Sequence, residues 1–66
     1  MLLRVNGIEQ SIEGCKSLAE FLDAKKLNYD HIVVEFNNDI VPKERWREIA
    51  LSEMDNIEIV SFVGGG

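Results

Sequence analysis

The run Ile57-Glu58-Ile59-Val60-Ser61-Phe62-Val63 constrains the chain more than any other. β-Branched and aromatic residues in this pattern predict a strand. Ile57 and Ile59 are assigned inward, so Val60 and Phe62 face away. A strand that is apolar on both faces is expected at the centre of a sheet, not at its edge. Gly64-Gly65-Gly66 follows directly. Polyglycine has no side chains to bury and loses the most backbone entropy on ordering, so it adds little to stability. It is expected to form a thin, flexible arm with a free carboxylate at its tip. Three extended residues reach roughly 10 Å, enough to thread a channel too narrow for side chains. A frayed terminus or a fusion remnant is the plain alternative reading of the glycines alone.

Length and composition narrow the classes. A chain of 66 residues makes one small domain that buries only about 60% of its unfolded surface. Its 45% hydrophobic content is too high for a disordered body. A single cysteine, Cys15, excludes an internal disulfide and a cysteine metal cluster. His31 is the one histidine and supplies a zinc site poorly. No charged-then-apolar leader is seen, and no run approaches the roughly 20 apolar residues of a membrane span. A reducing cytoplasm is the expected location. The net charge of −5 disfavours nucleic acid, whose phosphates repel such a surface. It favours a partner with a basic docking surface, or plain solubility.

In chain order, Leu2 to Val5 and Ile8 to Ile12 flank Asn6-Gly7, the strongest short-range hairpin signal. Met1, Leu3 and Val5 share one face, and so do Ile8, Gln10 and Ile12. Ser17-Leu18-Ala19-Glu20 fits a capping box that opens a helix from about Leu18 to Lys26. Leu18, Phe21 and Leu22 form its stripe, Lys25 and Lys26 fall in its last turn, and Asn28 is assigned as the residue after its end. A strand is expected over His31 to Asn37, and a short one at Ile40-Val41 that Pro42 ends. Lys43 to Leu51 reads as one or two helical turns, of 3₁₀ type or α, before the last strand. The result is an α+β order in which one helix covers one face of a mixed sheet.

This order, with Val5-Asn6-Gly7, Ser17-Leu18-Ala19-Glu20-Phe21-Leu22, Asn37…Ile40-Val41-Pro42-Lys43…Trp46 and Ile57…Gly64-Gly65-Gly66, resembles the ThiS family of sulfur carriers. These are ubiquitin-like β-grasp proteins of thiamine biosynthesis. The resemblance covers essentially the whole chain. It implies a four- to five-stranded mixed sheet on one main helix over residues 1–63, with residues 64–66 as a flexible tail. Two departures stand out. Met54-Asp55 replaces the family's frequent Gly-Asp, so a differently shaped turn is expected. Lys43 replaces the commoner arginine, which weakens any bidentate contact there.

The resemblance implies a carrier and co-substrate, not an enzyme. An adenylating enzyme of the ubiquitin-activating type would use ATP and Mg²⁺ to activate the Gly66 carboxylate. Sulfur from a persulfide, supplied by a donor such as a cysteine desulfurase relay, would then leave a Gly66 thiocarboxylate. Thiazole synthase would receive that sulfur. The chain itself is expected to bind no cofactor or metal. Two relatives of this reading stay open: a carrier like the small subunit of molybdopterin synthase, and a ubiquitin-like modifier joined through Gly66 to a lysine. An interaction module with incidental glycines is a third.

Single residues outside the tail read plainly. Cys15 and His31 are assigned packing or structural roles, and Trp46 plugs the core. Recognition is placed on the outward sheet face. With first and last strands adjacent, Leu2 and Arg4 are expected near Glu58 and Val60, with Val33 and Glu35 on the other side. The candidate partner-binding residues are therefore Arg4, Glu58, Val60, Phe62, Gly64 and Gly65, with Gly66 as the reacting group.

Overall fold

A computed structural model describes residues 1–62. The expectations placed on Val63, Gly64, Gly65 and Gly66 lie outside the described residues.

Two asparagine turns build the sheet's hairpins. Strands β1 (Leu2–Val5) and β2 (Ile8–Ser11) are joined by Asn6 and Gly7, with φ of 51° and 81°. A type I′ turn needs both positive values. Strands β3 (Ile32–Phe36) and β4 (Asp39–Val41) are joined in the same way by Asn37 and Asn38, with φ of 50° and 77°. The last strand, β5 (Asn56–Ser61), lies between the two hairpins, and the order across the sheet is β2-β1-β5-β3-β4. It runs parallel to β1 and antiparallel to β3. The terminal strand is thus central, as its apolar faces require, in a β-grasp sheet carried on one main helix.

Helix α1 (Leu18–Ala24) starts at a complete capping box. The Ser17 Oγ accepts from the Glu20 amide at 3.1 Å, and Glu20 Oε1 accepts from the amides of Ser17 and Lys16 at 3.0 and 2.8 Å. Its stripe of Leu18, Phe21 and Leu22 is buried against Leu3, Val5, Ile32, Val34 and Ile57 of the sheet. A 3₁₀ helix, Lys43–Glu48, follows Pro42 and drives Trp46 into this core, where it is 2% exposed. The Trp46 Nε1 donates to the Val41 carbonyl at 2.9 Å, so the buried indole keeps its hydrogen bond.

Several element limits differ from expectation. The helix stops at Ala24 because Lys26 turns left-handed, with φ of 59°. Lys25 caps the helix and reaches Gln10 Oε1 at 2.9 Å. Asn28 does not follow the α-helix end. Its side chain accepts from the Asp30 amide at 3.0 Å and opens a 3₁₀ turn, Tyr29–His31. His31 therefore precedes β3 instead of beginning it. β5 ends at Ser61. Ile8 is on the inward-facing side but is exposed, because it sits on the edge strand β2 outside the core cluster.

The turn before β5 keeps a left-handed residue at Met54, with φ of 67°. This is a conformation that glycine takes freely, so methionine at this position does not require a different turn. Asp55 organises the segment: its Oδ2 accepts from the Ser52 amide at 2.7 Å, and its Oδ1 accepts from Asn37 Nδ2 at 3.1 Å.

Candidate functional site

The outward face of β5 carries Glu58, Val60 and Phe62 in alternation. Val60 is 57% exposed and Phe62 46%. Ile57 on the opposite face is fully buried and Ile59 half-buried, so the inward and outward assignments both hold. β3 supplies the neighbours through its register. Val33 pairs with Val60, and Glu35 pairs with Glu58. On the next strand Ile40 pairs with Glu35 and is 71% exposed. The face is therefore a row of Ile40, Glu35 and Glu58, beside a row of Val33 and Val60. Phe62 lies beyond Val60, its amide donating to the His31 carbonyl at 2.8 Å and its ring 6.2 Å from the imidazole.

Arg4 is brought to the same face. It pairs in register with Asn56 and lines one shallow depression with Gly7, Met54, Asn56 and Glu58. Its guanidinium is 4.0 Å from the Glu9 carboxylate across the hairpin. Arg4 and Glu58 are thus neighbours, as expected. Leu2 and Val60 are not. β1 and β5 pair only at Arg4–Asn56 and Val5–Ile57. Because the two strands are parallel, Leu2 lies at the far end, where its carbonyl accepts from the Met54 amide at 2.6 Å. Beyond Val5 the chain turns back, and the Asn6 side chain takes over from β1. Its Oδ1 accepts from the Ile59 amide at 2.7 Å, satisfying a donor that β1 is too short to reach.

A second, larger depression lies on the helix side, lined by Asp23, Tyr29, Trp46 and Arg47 among others. The Tyr29 ring meets Trp46 edge-on at 4.8 Å, and its hydroxyl donates to Asp23 and to the Ala19 carbonyl. Burial, together with the carboxylate it donates to, pushes the Tyr29 phenol up to about 12. At its margin Lys43 pairs with Asp30. That hydrogen bond holds the Asp30 carboxyl below its ordinary value and raises the Lys43 ammonium. Lysine in place of arginine at 43 therefore makes a contact within the chain.

The remaining residues singled out from sequence are ordinary. Cys15 is half-buried against the core. His31 is exposed, its Nδ1 3.4 Å from Asn28 Nδ2. No cluster of three or more His, Cys, Asp or Glu side chains gathers among the described residues. No described helix is long and apolar enough to cross a membrane. Sequence reasoning missed the part played by Asn37, whose Oδ1 accepts from the Asn56 amide at 2.8 Å and ties the second hairpin to the start of β5. Its only signal was an asparagine in a turn.

Comparison with known proteins converges. The family model described as the ThiS family matches residues 3–66. The sulfur carrier protein ThiS of Bacillus subtilis is 42% identical over 50 residues, covering 76% of each chain. A thiazole synthase of Paramagnetospirillum magneticum is 33% identical over 66 residues, which is all of this chain and 20% of that protein. A crystal structure of the thiamine biosynthesis protein ThiS from Geobacter metallireducens superposes with a TM-score of 0.82 at 30% identity over the full length of both chains.

Proposed function

The chain belongs to the ThiS family of sulfur carriers, and from that premise we propose that it carries sulfur as a thiocarboxylate on Gly66 for thiazole formation. The observation that carries the reading is the family match, which runs from residue 3 through the glycines to residue 66. A carboxylate is a poor electrophile. An activating enzyme joins the Gly66 carboxylate oxygen to the α-phosphorus of ATP, with Mg²⁺ neutralising the phosphates and pyrophosphate leaving. The terminal sulfur of a persulfide then attacks the acyl carbon and expels AMP. A thiol cleaves the resulting S–S bond, which leaves the thiocarboxylate on Gly66 and a disulfide behind. Glycine at 65 and 66 leaves that carbon unshielded, where a Cβ would crowd both the channel and the attack.

This chain supplies the acceptor group and the surface that presents it. Arg4, Glu58, Val60 and Phe62 dock the activating enzyme, while Gly64 and Gly65 pass into its active site. The thiazole synthase relative, which contains a full-length counterpart of this chain within itself, supports thiazole synthase as the sulfur acceptor. It favours thiamine chemistry over a molybdopterin acceptor. The test is intact mass after incubation with the activating enzyme, ATP and a sulfur source. A gain equal to exchanging one oxygen for sulfur is expected, and deletion of Gly66 should abolish it. Gel ladders in place of that gain would indicate a protein modifier, and retained modification without Gly66 would overturn the reading.

A further inference from the structure

Glu35 and Glu58 stand directly opposite each other on the exposed face of β3 and β5. Like charges in that position destabilise a sheet. The ion pairs among the described residues are Arg4–Glu9, Lys43–Asp30 and Arg45–Glu48. None relieves this pair, although Arg4 lines the depression beside Glu58. The two carboxylates are framed by apolar side chains that are themselves exposed: Ile40 next to Glu35, and Val33 and Val60 in the adjoining row, at 71%, 40% and 57%. Exposed apolar patches mark interaction surfaces, and a like-charge pair set among them stays unfavourable until an opposite charge relieves it. The patch spans β4, β3 and β5, with Glu58 and Val60 on β5, the last strand in the chain.

We infer that Glu35 and Glu58 together form a seat for one cationic side chain of the activating enzyme, an arginine or lysine rising from an apolar surface that covers Val33, Ile40 and Val60. A guanidinium or ammonium placed between the carboxylates turns their repulsion into two attractions. The apolar rim excludes water and strengthens both. This occupant rests on the function proposed above. The charge of the whole chain, −5, favours the same sign of partner and speeds encounter.

The test titrates the purified activating enzyme against the full chain and its E35Q/E58Q double variant, at low and high salt. The variant should bind roughly tenfold more weakly or worse at low salt, and the gap should narrow as salt rises. Its urea midpoint should equal or exceed that of the wild type, because the repulsion is gone. Equal affinity, a gap indifferent to salt, a lowered urea midpoint or no binding by the wild type would each overturn the seat. The two proposals fail separately. A wild type that binds in this charge-dependent way yet gains no sulfur removes the carrier reading and keeps the seat. A wild type that gains sulfur while E35Q/E58Q binds equally well does the reverse.

Discussion

Met54 holds a left-handed backbone at φ 67° with an exposed, unbranched side chain. An L-residue in that region costs about 1–2 kcal/mol, against the extra chain entropy that glycine loses on folding. Met54→Gly should therefore raise the unfolding free energy by about 0.5–1 kcal/mol, measured by urea titration. Tyr29 makes a different prediction. Its phenol titrates near 12 in the folded chain against 10.0 in the free side chain. The protonated form is thus favoured by folding. Its contribution is complete below pH 10 and is lost as pH rises towards 12. Tyr29→Phe should flatten the alkaline decline of stability in that window, read by circular dichroism during a base titration. Neither effect could be read from the residue itself. Methionine does not announce a positive φ, and Tyr29 meets Asp23 and Trp46 only because a 3₁₀ turn carries it back across the helix.

At the scale of elements, β5 was the most legible part of the chain. Alternation placed Ile57 inward and Val60 and Phe62 outward, and the apolar character of both faces placed the strand centrally. Phe62 is 46% exposed, so Phe62→Ala should change stability by no more than about 0.5 kcal/mol. It should still raise the carrier's KM for the activating enzyme severalfold, measured by pyrophosphate release. Equal losses of stability and activity would make Phe62 a packing residue. The helix start was equally legible, because a capping box is a local device whose partners lie three residues apart. The helix end was not. Asn28 is as good a C-terminal residue as any by type, but its side chain is used by the following 3₁₀ turn, and Lys26 takes the left-handed position instead.

For the molecule as a whole, Trp46 is the joint. It is the largest fully buried side chain, bonded to the end of β4 and packed edge-on to Tyr29. Trp46→Ala should cost about 3–5 kcal/mol, a large share of the roughly 3–10 kcal/mol available to a domain of this size. The expected result in urea unfolding followed by far-ultraviolet circular dichroism is a markedly lowered midpoint.

Hairpin turns, the helix cap, the inward stripe and the centrality of the last strand were all determined along the chain. Each depends on neighbours within a few residues or on the period of a single element. The family resemblance added the chemistry proposed for Gly66, which no local pattern specifies. Only the tertiary structure decided the composition of the open face. A parallel β1–β5 pair of two registered positions sends Leu2 away from Val60 and lets Asn6 finish the ladder. An antiparallel β3–β5 register sets Glu35 against Glu58. Register between strands distant in sequence is chosen by the packing of their buried sides, Val34 and Ile57 among them. The outward residues inherit whatever neighbours that packing assigns.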